Sequence, residues 1–162
     1  MLRCSQLVLD SGLSLVLVAA GSGVRAIEFP PPRAIDAEAV SKDPLLDELS
    51  RQLRAYFSGK LRIFDLPLDP QGTAFQKRVW QHLRTIPFGA TQSYRQVAGA
   101  IGTPEAVRAV GAANGANPIP IVIPCHRVIG TSGKLVGYGG GLPLKKRLLE
   151  LEGAWTADLR FG

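Results

Sequence analysis

The chain has 162 residues, 46% of them hydrophobic, which is enough for one ordinary domain or two small ones. Its formal charge of +6 is concentrated: residues 75–147 carry ten Lys/Arg against a single acid, Glu105, a block that points to a polyanionic partner, above all nucleic acid. Two distant cysteines, Cys4 and Cys125, argue against a disulfide scaffold and for a reducing compartment, and no apolar run reaches the roughly 18 residues of a membrane span.

Residues 6–10, 14–20 and 24–29 alternate with the turn signals Ser11-Gly12 and Gly21-Ser22-Gly23 and read as a small antiparallel sheet. The apolar stretch 13–20 reads as a strand rather than a secretion signal, because Asp10 precedes it and a glycine turn follows at once. Pro30-Pro31-Pro32, three residues without an N–H, interrupts regular structure. Leu45, Leu46, Leu49, Leu53, Tyr56 and Phe57 recur at helical spacing and predict an amphipathic helix over about 44–57, stopped by Ser58-Gly59. The proline-interrupted stretch 61–70 is expected to link this lobe to a second one, giving domains 1–70 and 71–162.

The second lobe reads as helical. Thr73 with Gln76, and Ser93 with Gln96, have the spacing of capping boxes. Phe75, Val79, Leu83 and Ile86 form an apolar stripe behind the first, and Val97 and Ile101 behind the second. Thr103-Pro104-Glu105 is expected to open a further helix running to about Asn114 and ending at Gly115, with a cap hydroxyl, a proline in the first turn and an acid at the positive end of the dipole. Two short helices about a glycine turn suggest a helix-turn-helix. Its second helix is built of small residues, Ala106, Ala109, Gly111, Ala112 and Ala113, with only Arg108 and Asn114 able to reach far. That is unlike a reader of base edges, which needs several long polar side chains. It is compatible with close approach to a narrow groove, or with close helix packing.

Beyond it, Pro124-Cys125-His126-Arg127-Val128 follows the apolar run 119–123. A thiol reacts as its thiolate and needs a base or a positive field nearby. His126 is the candidate base, and Arg127 a candidate source of field. A small buried cysteine at a strand end is the other reading, and the pair by itself leaves both open. A cysteine hydrolase is a poor alternative, since adjacent Cys and His do not easily align as a dyad and the other histidine, His82, lies far upstream.

The run from Asn117 to Val128, with Phe75-Gln76-Lys77-Arg78-Val79-Trp80, Ser93-Tyr94-Arg95-Gln96-Val97-Ala98, Arg108-Ala109-Val110-Gly111, Gly137-Tyr138-Gly139-Gly140-Gly141-Leu142 and Leu148-Leu149-Glu150-Leu151-Glu152-Gly153, closely resembles the O6-alkylguanine-DNA alkyltransferases, the methylated-DNA–protein-cysteine methyltransferases. The resemblance covers the second lobe almost end to end and the first only in layout. It implies a ribonuclease H-like α/β first lobe (small antiparallel sheet plus helix), then a mainly α, winged-helix-like lobe carrying a helix-turn-helix. It also implies a single-turnover DNA repair protein that binds duplex DNA through the minor groove, flips the damaged base out and moves the alkyl group of O6-alkylguanine, and by extension O4-alkylthymine, onto its own cysteine.

By the resemblance, Cys125 is the nucleophile, His126 the base acting through a water, Glu152 the acid that holds the histidine, Tyr94 the donor to N3 of the leaving guanine and Asn117 the hinge of the active-site loop. Arg108 resembles the finger that fills the gap left by the flipped base. Tyr138 and Pro120 would line the guanine pocket, Val128 and Gly139 would offer backbone groups to the base, and Ala106, Ala109, Ala112 and Arg127 would lie on the DNA or lesion side. No cofactor is expected. No metal is expected either, because Cys4 and His82 are the only spare soft ligands and cannot form a four-ligand zinc site. The expected partner is double-stranded DNA carrying O6-alkylguanine, and no membrane; the expected form is a monomer, with cooperative binding along DNA left open. The expected location is the cytoplasm, at the nucleoid in a bacterium. The competing reading within the family is a non-catalytic alkyl-lesion-binding protein, whose members lack the reactive cysteine. Residues 155–162 read as a short tail.

Overall fold

A computed structural model describes residues 1–33, 35–156 and 159–161, and the chain divides into two compact units, Met1–Gln71 and Gly72–Gly162. In the first, β1 (Leu2–Val8), β2 (Ser14–Ala20), β3 (Gly23–Glu28) and β4 (Ala37–Ala39) form one sheet in the order β3-β2-β1-β4. The three long strands are antiparallel, and the short β4 adds to β1 in parallel. β1 lies earlier than the expected 6–10 because residues 9–13 make the hairpin turn: Leu9 N–H donates to the Leu13 carbonyl at 2.8 Å, and Gly12 takes the left-handed φ of 90° that the turn requires.

α1 (Pro44–Phe57) covers the sheet with Leu46, Leu49, Leu53 and Tyr56, all buried. Asp43 caps it, accepting from the amides of Leu45 and Leu46 at 3.1 and 3.0 Å, with Pro44 in the first turn. The stretch 61–70, expected as a linker, is held to this unit. Gln52 exchanges two hydrogen bonds of 2.9 Å with the backbone of Asp65, and Val24 pairs with the chain at Pro67 and Asp69.

The second unit is mainly helical. α2 (Ala74–Leu83) starts at the Thr73/Gln76 capping box, and α3 (Tyr94–Ala100) at the Ser93/Gln96 box, both reciprocally hydrogen-bonded. After a turn at Gly102, with φ of 82°, α4 (Val107–Gly115) begins later than Thr103-Pro104-Glu105 suggests. Residues 103–106 commit their backbone to a separate turn, Ala106 N–H donating to the Thr103 carbonyl, so α4 has no side-chain cap and the buried Thr103 hydroxyl has no protein partner. α2 packs on α4 through Val79, Trp80 and Leu83, and the Trp80 indole N–H donates to the Ala113 carbonyl at 2.8 Å. Arg78 donates to the Ile101 carbonyl at the end of α3, clamping the turn of the helix-turn-helix.

Two short parallel ladders complete the unit. β5 (Gln92–Ser93) pairs with β6 (Val128–Ile129), and β7 (Lys134–Leu135) with β8 (Arg160–Phe161), before and after α5 (Leu142–Leu151). The expected tail therefore returns to the fold at β8, although its residues 157, 158 and 162 lie outside the described residues. Leu159 joins Ile129, Leu135, Leu149 and Ala154 in a local apolar cluster. Among the described residues, no helix is long and apolar enough to cross a membrane.

Replacing Trp80 with Phe keeps the ring in the α2–α4 contact but removes the shorter of two donors to the Ala113 carbonyl, which retains the Ala116 N–H at 3.2 Å. Urea denaturation should show a loss of about 0.5–1.5 kcal/mol.

Candidate functional site

Local chain geometry brings the candidate residues together. Tyr94 directly follows β5, and Val128, the first residue of β6, directly follows a single 3-10 turn, Cys125–Arg127. Parallel pairing of β5 with β6 thus sets the start of α3 beside the cysteine turn. The loop before it is tied by Asn117, whose amide N–H donates to the Ile123 carbonyl at 2.8 Å and whose Oδ1 accepts from Ile119 N–H at 3.0 Å. Within that loop the buried Ile121 takes a left-handed φ of 75°. A β-branched residue avoids that region, and such strain is held only where its surroundings dictate it.

Cys125 is buried. The sequence suggested that His126 and Arg127 would make the thiol acidic, but burial pushes its pKa above the ordinary value, opposed by the Asn117 side chain and by the Lys145 charge. Removal from water disfavours the thiolate more than these partners favour it, so the resting sulfur holds its proton. Arg127 lends its charge elsewhere, as its hydrogen bonds show.

His126 is fully buried. Its Nε2 lies 2.8 Å from Glu152 Oε2, while the buried Nδ1 has no protein partner. Burial lowers the imidazole pKa, Glu152 opposes that shift, and the charges of Arg127 and Lys145 reinforce it. Glu152 sits at the C-cap of α5, fully withdrawn from water in its side chain. Arg127 grips it with Nε on Oε1 at 2.7 Å and Nη2 on Oε2 at 2.9 Å, and Nη1 donates to the Ile86 carbonyl at 2.7 Å. The expectation that Arg127 lies on the DNA side is therefore corrected: its guanidinium is occupied by a buried carboxylate and a carbonyl.

Tyr94 donates its hydroxyl to the Val136 carbonyl at 3.1 Å. Burial, then the proximity of Cys125, raises the phenol pKa, while the Asn114 side chain works against the rise. The phenol therefore stays a proton donor. Val128 is buried and its carbonyl accepts from Lys145 Nζ at 2.8 Å. Pro120 is buried in the Asn117 loop, Tyr138 is half-buried, and Gly139 is exposed on the glycine-rich loop. Arg108, Ala109 and Ala112 form the exposed face of α4, with Ala106 half-buried at its start; they are not part of the buried cluster. Among the described residues, no group of three or more His, Cys, Asp or Glu side chains converges to hold a metal.

Two contributors escaped the sequence reading. Asn114, read there as a side chain that could reach outward, is buried and faces the Cys125 carbonyl at 3.4 Å. Its spacing from Val110, four residues earlier on the inward face, was the available signal. Lys145 is fully buried and bridges the carbonyls of Val128, at 2.8 Å, and Val136, at 3.4 Å. A lysine in register with Leu142, Leu148 and Leu149 on an apolar stripe was the clue.

Residues 74–154 match the family model described as 6-O-methylguanine DNA methyltransferase, DNA binding domain, and residues 14–70 the one described as 6-O-methylguanine DNA methyltransferase, ribonuclease-like domain. The methylated-DNA–protein-cysteine methyltransferase of Methanosarcina barkeri is 48% identical over 149 residues, 90% of this chain and 94% of that protein. The protein of that name from Mycobacterium bovis is 63% identical over 101 residues, 62% of this chain and 61% of its own. The crystal structure of Mycobacterium tuberculosis O6-methylguanine methyltransferase aligns with a TM-score of 0.85 at 44% identity, covering 94% of this chain and 93% of that one. That of Mycobacterium tuberculosis OGT in complex with DNA aligns with a TM-score of 0.86 at 45% identity, covering 96% of each.

Burial lowers the Lys145 ammonium from its ordinary 10.5 to about 8. The unfolded chain then holds this proton more tightly than the folded one, so the Lys145 contribution to stability rises with pH between about 8 and 10.5. Wild type should gain on Lys145→Met across that window by about 1.4 kcal/mol per pH unit, read from urea denaturation of both at neutral pH and at about pH 10.

Proposed function

The chain belongs to the 6-O-methylguanine DNA methyltransferase family, and from that premise we propose how its second unit carries out the reaction. The activity is direct reversal of DNA damage: the alkyl group of O6-alkylguanine in DNA is transferred to a cysteine of the protein. The partner is DNA, in keeping with the basic second unit and with a relative crystallised on DNA. The working compartment we assign is the cytoplasm, with its DNA, where thiols stay reduced.

Cys125 is the acceptor in this proposal. The observation that carries it is His126, held on Glu152 through Nε2 with its buried Nδ1 unpartnered by protein, immediately next to a buried, protonated thiol. Nδ1 takes the thiol proton across one bridging water. The sulfur then attacks the alkyl carbon, an S–C bond forms, and the C–O6 bond breaks with its electron pair leaving on guanine. Tyr94 turns from the Val136 carbonyl to donate a proton at N3, so guanine departs neutral, and the proton held on His126 restores the phenol. The orienter–base–nucleophile order is that of an activated nucleophile generally. No step returns the thioether to thiol, so the protein acts once.

The target carbon must leave the base stack to reach a buried sulfur, and a lesion with weakened pairing is the cheapest base to extrude. The α4 face of Ala109, Ala112 and Arg108 suits extrusion of a base, since small residues let the helix approach a groove closely while Arg108 is long enough to occupy the vacated space. Pro120, Tyr138, Val128 and Gly139 are proposed to surround the extruded base, and Asn117 to hold the loop that presents the thiol. O4-alkylthymine carries the same kind of exocyclic alkyl ether and is proposed as a second substrate.

Mass spectrometry after one exposure to methylated duplex DNA should show a single methyl on Cys125. Cys125→Ala should lose transfer entirely while still binding DNA; methylation elsewhere, or repeated turnover, would refute the assignment. Arg108→Ala should slow repair of duplex DNA by about tenfold, the equivalent of about 1.4 kcal/mol, while leaving reaction with free O6-benzylguanine nearly unchanged. Equal losses on the two substrates would remove Arg108 from the flipping step.

A further inference from the structure

We propose that Arg127 is a positioning residue for alkyl transfer: by occupying both oxygens of Glu152 it keeps His126 as the neutral Nε2–H tautomer, with Nδ1 open to the thiol proton. The inference rests on the reading of Cys125 as acceptor and adds a fourth member to the chain of groups behind it.

The geometry is that of a fork on a carboxylate. Arg127 is 7% exposed, and its Nε and Nη2 reach the two oxygens of Glu152 at 2.7 and 2.9 Å. The third contact, Nη1 on the Ile86 carbonyl at 2.7 Å, fixes the far side of the guanidinium, and the Phe88 ring centroid lies 5.9 Å from its central carbon. A buried guanidinium is costly unless such contacts compensate it. A lysine in its place would bring the charge without the planar fork.

The consequence for His126 follows from counting the charges that face it. Glu152, at the end of α5, draws a proton toward the ring. Arg127, next to it in the chain, and Lys145, on α5, repel one; Cys125, the residue before it in the chain, is neutral while protonated. With Arg127 in place, the carboxylate is already neutralised by a permanent cation, and the buried imidazole stays uncharged. Take Arg127 away, and Glu152 is a buried anion whose remaining strong partner is the imidazole. The favourable response is to protonate the ring, which puts a proton on Nδ1 and removes the base. Glu152 alone would thus over-bind the proton; the arginine tunes it to orient the ring without charging it.

His82 and His126 are the only histidines in the chain, so imidazole nitrogen NMR can resolve both. In uniformly 15N-labelled wild type at neutral pH, His126 should give the pattern of a neutral ring protonated at Nε2. In Arg127→Met it should appear as an imidazolium, and the acid limb of the single-turnover methyl-transfer profile should move to about one pH unit above neutral, costing about tenfold in rate at neutral pH and recovering in alkali. Arg127→Lys should fall between the two. An imidazolium or an Nδ1–H tautomer in wild type overturns the proposal, and that measurement needs no variant to fold. So does a neutral Nε2–H ring with an unshifted profile in Arg127→Met, or a loss of rate that no pH restores. The acceptor assignment fails separately, if the wild-type protein takes up no methyl at Cys125.

Discussion

A carboxylate wholly withdrawn from water and shared between a guanidinium and an imidazole is the interaction on which the second unit depends. Glu152 closes α5, His126 and Arg127 belong to the cysteine turn, and Ile86 lies just beyond α2, so one buried anion gathers three separate parts of the chain. Breaking such a cluster by removing one member is far more damaging than never having built it, because the remaining charge is left in the interior. The cluster therefore fixes geometry rather than supplying raw stability. It also gives the imidazole a direction, with one nitrogen committed to the carboxylate and the other left without a protein partner.

The thiol is controlled by its placement in the same way. A cysteine exposed to solvent would meet every small electrophile, whereas one held in the interior is protonated and unreactive until its proton is removed on the spot. Burial raises the Cys125 pKa, and the groups opposing that rise are a side-chain amide from the loop ahead and an ammonium from the helix behind. Lys145 does more than lend a charge. Its two carbonyl acceptors are Val128, beside the cysteine turn, and Val136, which also receives the Tyr94 hydroxyl, so the strand after the cysteine turn, the phenol and the start of the glycine-rich loop share one set of hydrogen bonds. An alkyl group added to sulfur would have to be accommodated inside this tied arrangement.

The α4 surface divides by residue size. Inward, Val110, Ala113 and Asn114 are buried, Ala113 receiving the indole of Trp80 and Asn114 facing the Cys125 backbone. Outward, alanines leave a smooth surface with a single long cation, Arg108. A helix of this kind has little means of reading base edges, which takes several long polar side chains, and its small residues leave its backbone open to close approach.

Elements governed by short-range rules were legible in the sequence. The two capping boxes, the amphipathic α1 and the glycine that turns the chain between α3 and α4 each follow from the chemistry of three or four neighbouring residues, and the family resemblance supplied the architecture and pointed to the cysteine turn. Three things were decided only in three dimensions. Arg127 reads in one dimension as a cation in a basic block; only the approach of Glu152 from α5 turns it inward. Lys145 and Asn114 look like ordinary polar residues until packing places them against the backbone carbonyls of Val128, Val136 and Cys125. And the state of the Cys125 proton depends on how much water the fold removes from the sulfur, a quantity that no local pattern of side chains carries. Local propensity and pattern act over a turn or two of chain, whereas desolvation and charge pairing depend on which distant segments meet, and the tertiary fold alone determines that.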